Sequence, residues 1–308
     1  MTFAAVVVSY NRIKLLEKCL VALESQSEPL DEIIVVENGS TDGSADYVRK
    51  NHPNVTLFET GKNLGGAGGF AWGLDIAMAK GHEAAWLMDD DAEPELDAFA
   101  PLKEAFQGME PRPSVLASLV THGRDVFNTR NPPVITTDAK RHMDANAAGG
   151  VAIDTATFVG VLVNLDFARE THLPFVDFFI WIDDSEYTHR LSRMGLAMTV
   201  PSSMVNHPVA KGTTADMGPR LYYHIRNTLW YVREKDTDRN SKIINLGGLA
   251  IQTLEQAVKA ENKMGWVSAA ARGWFHGVSR RPQRIAPGGL VATLPLEDRQ
   301  ALGINALK

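Results

Sequence analysis

The 308-residue sequence has few of the features that mark secreted, membrane-spanning or nucleic-acid-binding proteins. Its one cysteine, Cys19, excludes an internal disulfide framework and fits a reducing compartment. No segment reaches the roughly 18 apolar residues of a membrane-spanning helix, and the N-terminus lacks the basic start of a secretory signal. A formal net charge of −6 argues against non-specific nucleic-acid binding. We therefore expect a cytoplasmic protein without a nucleic-acid partner.

The first 91 residues alternate short apolar runs with patterns of helical spacing. The apolar runs predict four strands, at 3–10, 32–38, 55–60 and 84–90, and the Val-rich first run has the pattern of a strand buried on both faces. Four strand–helix units with short connections imply an α/β fold with a doubly wound, mostly parallel sheet. Ligands of such sheets bind beyond the carboxyl ends of the strands, and all four ends here are polar or glycine-rich.

The rest of the sequence predicts two more strands and then a change to helices. The strands lie within 156–168 and 197–208, and helical patterns dominate from residue 220 onward. Proline and glycine interrupt the last residues. We predict a ligand-binding domain at 1–215, a helical region at 216–281 and an irregular tail at 282–308.

Three aspartates follow the fourth predicted strand. Residues two apart in extended backbone face the same way, so Asp89 and Asp91 can share a target while Asp90 faces elsewhere. Carboxylates at this edge of a sheet can hold a hard divalent cation against substrate phosphates. His207, which follows the last predicted strand, can complete such a metal site. A solvated polar strand end remains the alternative.

A second acidic group and a glycine-rich turn also fall at predicted element ends. Asp183 and Asp184 follow an aromatic run that ends in Trp181, and a carboxylate beside apolar walls can act as a general base. Glu37 ends the second strand, where it can accept hydrogen bonds from a base or ribose. The glycines of "NLGGAGGFAWG" permit close approach of an anion, although packing also explains them.

The ordered motifs "VVVSYNR", "VENGSTDGS", "NLGGAGGFAWG", "LMDDDAE" and "WIDDSEY" resemble family 2 glycosyltransferases of the GT-A fold, over residues 1 to about 210. With "NHP" further on, the pattern is most similar to bacterial galactofuranosyltransferases, and related rhamnosyltransferases share much of it. The resemblance implies transfer of galactofuranose from UDP-galactofuranose to a glycan or polyprenyl-linked glycan in cell-envelope polysaccharide synthesis. The alternative donor is dTDP-rhamnose.

The resemblance also implies roles for individual residues. Asp184 is implied as the catalytic base, and Asp89, Asp91 and His207 are implied to hold Mn²⁺ or Mg²⁺. The implied contacts to the donor come from the strand ends, the glycine-rich turn and the later acidic motif: Ser9, Asn11, Arg12, Glu37, Asn63, Gly65, Gly66, Gly68, Asp89, Asp90, Trp181, Asp183 and Arg226. For Arg226 a structural role is the alternative. One base and one metal without a covalent nucleophile predict a single displacement with inversion.

Trp266, Trp274 and Phe275 alternate with arginines in the helical region, which suggests contact with the inner face of the plasma membrane. Packing on the catalytic domain and assembly of a homo-oligomer remain open. Three rival functions also remain: a haloacid-dehalogenase-type phosphohydrolase that uses the Asp89/Asp91 pair, a non-catalytic sugar-nucleotide-binding module, and a dinucleotide-dependent oxidoreductase.

Overall fold

The computed structural model describes residues 1–308 except 124–126, 130, 209–215, 236, 238 and 305–308. The strands, in chain order, are β1 (Phe3–Ser9), β2 (Glu32–Glu37), β3 (Thr56–Glu59), β4 (Ala84–Asp89), β5 (Glu93–Pro94), β6 (Val115–Thr121), β7 (Val134–Ile135), β8 (Ile153–Thr155), β9 (Val161–Asn164) and β10 (Ala197–Asn206). The helices are α1 (Ile13–Glu24), α2 (Ser44–Asn51), α3 (Gly65–Ala79), α4 (Phe99–Gly108), α5 (Ala139–Ala147), α6 (Leu165–Arg169), α7 (Asp183–Ser192), α8 (Leu221–Tyr231), α9 (Arg239–Lys259), α10 (Lys263–Ser279) and α11 (Leu296–Ala301).

Eight of these strands form one sheet in the order β3-β2-β1-β4-β9-β6-β10-β5. The pairs β1–β2, β1–β4, β2–β3 and β6–β10 are parallel, whereas β9 runs antiparallel to both β4 and β6. Two reversals cancel, so the carboxyl ends of β1, β2, β4, β6 and β10 meet at one edge of the sheet. This arrangement confirms the predicted mostly parallel α/β sheet.

Strand β1 lies at the centre of the sheet and is buried along its whole length. Alternate residues face opposite sides, so Val6 packs with α3 on one side and Val7 packs with α1 and α4 on the other. A Cβ on Gly73 would lie 2.2 Å from Val6 Cγ1. Glycine at this position therefore lets α3 lie directly on β1, which fixes where the start of α3 meets the sheet edge.

The C-terminal helices form a small core of their own beside the sheet, where α8 packs against α10. The following segment, predicted as an irregular tail, contains α11 and buries Val291 and Ile304 against the main core. The fully buried carboxylate of Asp75 in α3 accepts hydrogen bonds from the backbone N–H groups of Gly288, Leu290 and Val291. Within the described part of the chain, no helix is long and apolar enough to cross a membrane.

Candidate active site

Asp89, Asp91 and His207 meet at the shared edge of the sheet, and one ligand atom of each lies within 4.8 Å of the others. Asp89 ends β4, and His207 follows β10, where its backbone N–H continues the ladder by donating to the carbonyl of Thr121 at 2.9 Å. His207 Nε2 lies 3.1 Å from Asp91 Oδ1. These are the three residues that the sequence predicted as metal ligands.

The charges of this cluster fit a divalent cation. Burial and the neighbouring charges of Asp91 and Asp90 raise the pKa of Asp89 well above its usual range. The pKa of Asp91 is lowered, because contacts with His207 and Arg12 outweigh the effect of burial. His207 Nδ1 is buried without a hydrogen-bond partner among the described residues. Two carboxylates and an imidazole suit Mn²⁺ or Mg²⁺, and a bound cation would relieve the repulsion between the acids.

Asp90 points away from this cluster towards the end of β1. Its Oδ2 accepts hydrogen bonds from Ser9 Oγ at 3.0 Å and from the backbone N–H of Tyr10 at 3.1 Å. Burial raises the pKa of Asp90 to about 6, although the charge of Arg12 opposes the shift. The guanidinium of Arg12 bridges Asp90 and Asp91, because its Nη1 lies 3.3 Å from Asp90 Oδ1 and 2.7 Å from Asp91 Oδ2. Asp90 therefore joins the ends of β1 and β4.

Glu37 and Asn11 shape the loops after β2 and β1. The Glu37 carboxylate is buried and accepts hydrogen bonds from the backbone N–H groups of Gly39 at 3.2 Å and Ser40 at 2.6 Å. Asn11 has a positive φ of 54°, and its Oδ1 accepts from the backbone N–H of Thr41 at 2.8 Å. The two loops are thus hydrogen-bonded to each other, and Glu37 closes the turn that follows it.

The start of α3 contacts the loop that precedes the second acidic pair. Asn63 Oδ1 accepts from the backbone N–H of Gly65 at 2.7 Å, and Gly65 has a φ of +71°. A Cβ on Gly65 would lie 1.9 Å from the carbonyl oxygen of Phe179, whereas a Cβ on Gly68 would meet Leu64. At Gly66 the nearest atom to such a Cβ is Asp183 Oδ2 at 3.9 Å. The glycines therefore allow close packing and leave the Asp183 carboxylate facing the helix start.

The backbone immediately before α7 is strained. Phe179, Trp181 and Ile182 have positive φ values of 64°, 67° and 69°. A non-glycine residue in this region costs roughly 1–3 kcal/mol and persists only where surrounding contacts enforce it. We call residues 177–182 the strained loop.

Arg226 and Asn227 of α8 enforce the strained loop. Asn227 Nδ2 lies 2.9 Å from each of the carbonyl oxygens of Phe178, Ile180 and Trp181. Arg226 Nη2 donates to the carbonyls of Asp177 and Phe178, and the guanidinium carbon lies 4.4 Å from the centre of the Trp230 ring. These contacts support the structural alternative for Arg226. Asn227 was not among the predicted donor contacts.

The strained loop presents the acidic pair at the start of α7. Asp183 is buried, Asp184 is partly buried, and burial raises the pKa of both. Asp184 Oδ1 accepts hydrogen bonds from Ser185 N at 2.6 Å and Ser185 Oγ at 3.2 Å. The Asp183 carboxylate faces the start of α3, and its charge contributes to the raised pKa of Asp89, in agreement with a site that contains both acidic groups. The site thus combines a cation-binding cluster with a carboxylate suited to accept a proton.

The fold is of the GT-A type, and two solved structures share it. One is S. aureus TarS 1-349 in complex with UDP, with a TM-score of 0.61 and 16% sequence identity; the match covers 89% of this chain and 80% of the TarS chain. The mannosyltransferase PcManGT from Pyrobaculum calidifontis, in complex with GDP-Man and Mn²⁺, has a TM-score of 0.58 at 20% identity and covers 98% and 83%.

The chain belongs to the glycosyl transferase family 2, because the sequence model of that family matches residues 4–165. The galactofuranosyltransferase GlfT1 of Mycolicibacterium smegmatis is 30% identical over 199 residues, which cover 62% of this chain and 66% of that protein, just under two thirds. The N-acetylglucosaminyl-diphospho-decaprenol L-rhamnosyltransferase of Mycobacterium tuberculosis is 24% identical over 265 residues, which cover 75% and 83%. The predicted family is confirmed. Residues 4–165, which the family model matches, do not include Asp183, Asp184 or His207, so the roles of these three residues are argued from the geometry.

Proposed function

We propose that the protein is a metal-dependent, inverting glycosyltransferase. It transfers galactofuranose from UDP-galactofuranose to a glycan or lipid-linked glycan in cell-envelope polysaccharide synthesis. The observation that carries the proposal is the grouping of Asp89, Asp91 and His207 within 4.8 Å at the carboxyl edge of the sheet. Asp183, the first acid of α7, faces the start of α3 near that edge. This arrangement supplies what sugar transfer requires, a place for the leaving diphosphate and a base for the attacking hydroxyl.

Asp89, Asp91 and His207 would hold Mn²⁺ or Mg²⁺, which supplies positive charge that stabilises the departing nucleoside diphosphate. The ends of β1 and β2 and the loops that follow them would contact the base and ribose of the donor, through Ser9, Asn11, Arg12 and Glu37. The remaining donor contacts would come from residues at the start of α3, at the end of β4 and around the start of α7: Asn63, Gly65, Gly66, Gly68, Asp89, Asp90, Trp181 and Asp183.

Asp184 would act as the general base. The acceptor oxygen forms a bond to the anomeric carbon, the bond from that carbon to the diphosphate oxygen breaks, and the hydroxyl proton passes to the Asp184 carboxylate. No covalent intermediate with the protein is needed, so the anomeric configuration inverts. The pKa of Asp184, raised by burial, makes its carboxylate a stronger base than an exposed aspartate.

The relatives favour galactofuranose over rhamnose as the sugar, because the galactofuranosyltransferase is 30% identical and the rhamnosyltransferase 24%. The name of the latter includes a diphospho-decaprenol, which supports a lipid-linked acceptor and a peripheral position on the inner face of the plasma membrane. dTDP-rhamnose remains the alternative donor. Family membership and fold argue against the phosphohydrolase and oxidoreductase alternatives.

A donor panel with Mn²⁺ tests the proposal. Binding and turnover of UDP-galactofuranose, UDP-galactopyranose, dTDP-rhamnose and UDP-glucose would be compared for the wild type and Asp184→Asn, with the exposed Asp97→Asn as the matched control. We expect UDP-galactofuranose to be the best substrate, and Asp184→Asn to keep donor binding while losing transfer. Loss of donor binding in Asp184→Asn would contradict the assignment of the base, and a wild type that binds but never turns over a donor would be a binding module.

A further inference from the structure

A cavity of about 390 Å³ lies among the C-terminal helices, and the proposed catalytic roles do not use it. The short 3₁₀ turn Gly218–Arg220, α8 and α10 form its walls. The side chains that matter here are three aromatic rings and one cation: Tyr222, Tyr223, Trp266 and Arg272. The volume is within the range of pockets that bind small molecules.

The cavity adjoins the strained loop on the side of the C-terminal helices. The ring of Tyr223 stacks on that of Phe179, with centroids 5.0 Å apart and planes inclined by 23°. The guanidinium carbon of Arg220 lies 5.6 Å from the centre of the Trp181 ring. Because the strained loop leads directly into Asp183 and Asp184, a ligand in the cavity lies next to the segment that presents the proposed base. This position suits the acceptor of the reaction.

The cavity is lined by one cation, Arg272, and by one carboxylate, Asp216, which accepts hydrogen bonds from the backbone N–H groups of Gly218 and Glu261. The helices around it carry an excess of positive charge. Arg272 lies over the Tyr222 ring at 5.1 Å and makes no ion pair within the described part of the chain. Residues 239–281 contain seven Lys and Arg against two Asp and Glu, although the whole chain has a net charge of −6. An unpaired guanidinium at the wall of an aromatic cavity favours an anionic ligand, and phosphate is the anion whose geometry it matches best.

An exposed apolar surface continues from the cavity. Met264 and Val267, which flank the lining residue Trp266, are 79% and 49% exposed. On α10 exposed apolar residues recur with helical spacing, and at about 3.6 residues per turn Met264 and Phe275 lie nearest to the cavity-lining Ser268. The others lie further round the helix: Val267, Ala271, Trp274 and Val278. On α9 Ile244, Ile251, Leu254 and Val258 also recur with helical spacing, with 72%, 62%, 68% and 82% of their surface exposed. Apolar surface beside a cavity that contains a guanidinium without an ion-pair partner is complementary to an amphiphile that carries an anionic head.

We propose that the cavity and the adjoining apolar faces of α9 and α10 bind the isoprenoid diphosphate end of a lipid-linked acceptor. Arg272 binds the diphosphate, the rings of Tyr222, Tyr223 and Trp266 contact the adjoining isoprene units, and the rest of the chain lies along the exposed faces. The glycan then extends past the strained loop towards Asp184. This inference rests on the proposed function, since it gives a binding site to the acceptor of that reaction.

Binding of farnesyl diphosphate, a short soluble probe, tests the inference by calorimetry. Ser268→Trp fills the cavity from an exposed lining position, and Arg272→Gln removes the cation. Ser279→Trp, on the same face of α10 about three turns further on, and the exposed Arg193→Gln are the matched controls. We expect Arg272→Gln to weaken farnesyl diphosphate binding about tenfold, the effect of losing one charged contact. Ser268→Trp should weaken it at least as much by filling the cavity, while both controls stay within about twofold of the wild type.

Affinity for UDP with Mn²⁺ should be the same in all five proteins. Farnesol and inorganic diphosphate, each of which lacks one half of the probe, should bind more weakly to the wild type than farnesyl diphosphate does. In a transfer assay with a lipid-linked acceptor, Ser268→Trp should raise the acceptor KM and leave donor hydrolysis unchanged.

Three results would overturn the inference while leaving the proposed function in place. The first is farnesyl diphosphate binding that neither cavity variant changes, and the second is its displacement by UDP with Mn²⁺, which would put it in the donor site. The third is a stable wild-type dimer that covers the apolar faces of α9 and α10 and binds farnesyl diphosphate no more tightly than Ser268→Trp does. Failure of the wild type to bind UDP with Mn²⁺ would count against the proposed function itself.

Discussion

Asn227 is the residue through which α8 controls the geometry of the active site, and its removal should slow transfer without weakening donor binding. Its side-chain amide has two N–H groups and lies 2.9 Å from three carbonyl oxygens of the strained loop. At about 1 kcal/mol for each neutral hydrogen bond, two such donors contribute roughly 2 kcal/mol. Three left-handed residues at roughly 1–3 kcal/mol each cost as much or more. The strained loop in Asn227→Ala therefore has enough stored energy to relax.

Relaxation would move Asp183 and Asp184, which directly follow the strained loop. A displacement of about 1 Å in a catalytic group can reduce the rate about 100-fold, so we expect Asn227→Ala to lower kcat by that order. The affinity for UDP with Mn²⁺ should change little, since Asp89, Asp91 and His207 belong to other elements. The assay is steady-state transfer with the best donor of the panel, together with calorimetric UDP binding and a thermal unfolding curve.

Two further variants separate this effect from a general loss of stability. Asn245→Ala removes an amide whose Nδ2 lies 2.8 Å from the carbonyl oxygen of Ser241 in the same helix, and it should leave kcat unchanged. Ile182→Gly removes the strain at one of the three left-handed positions, so it should restore part of the activity of Asn227→Ala. An Asn227→Ala enzyme that folds and transfers sugar at the wild-type rate would refute the reasoning.

Three further predictions concern single contacts. Ser185→Ala removes a hydroxyl that favours the charged form of Asp184, so the pKa of Asp184 should rise further. The acidic limb of the plot of kcat against pH should then move to higher pH. A limb that does not move would show that Asp184 is not the base. His207→Ala should weaken Mn²⁺ binding, measured by titration, by about 10- to 100-fold without lowering the melting temperature, and unchanged affinity would exclude it as a ligand. Asp75→Ala leaves three backbone N–H groups unpaired and should lower the free energy of unfolding by about 3 kcal/mol. Backbone hydrogen exchange at residues 288–291 should become faster, and unchanged exchange there would contradict this prediction.

The sequence predicted the elements that are dominated by local patterns. Strands β1, β2 and β4 were found because a strand buried on both faces is a continuous apolar run between polar ends. The short edge strand β3, of which Phe58 alone is buried, was also predicted. The segment 99–121, which forms α4 and β6, received no prediction although "VLASLVT" is also apolar and buried. Its place in the sheet depends on β9, which comes later in the chain and runs antiparallel between β4 and β6. Such pairing has no local signature.

The candidate site divides in the same way. Acids and a histidine at strand ends can be recognised one motif at a time, so Asp89, Asp91 and His207 were predicted together. The positive φ angles of Phe179, Trp181 and Ile182 were not, because none of these residue types prefers that backbone region. Asp75 did leave a signal in the sequence, as a lone acid within an otherwise apolar helix, and its partners are backbone groups more than 200 residues away.

The places where this chain departs from the rules of stable folding coincide with the proposed reaction. Burial raises the pKa of Asp89, Asp90, Asp183 and Asp184, so charged carboxylates at this edge are costly to the folded state. The strained loop holds three residues at positive φ, and hydrogen bonds from Arg226 and Asn227 keep them in that conformation. A cation and a diphosphate that bind the folded chain alone would stabilise it by mass action. Repulsion among the acids is therefore a cost that donor and metal offset when bound, whereas the strain is offset permanently by α8.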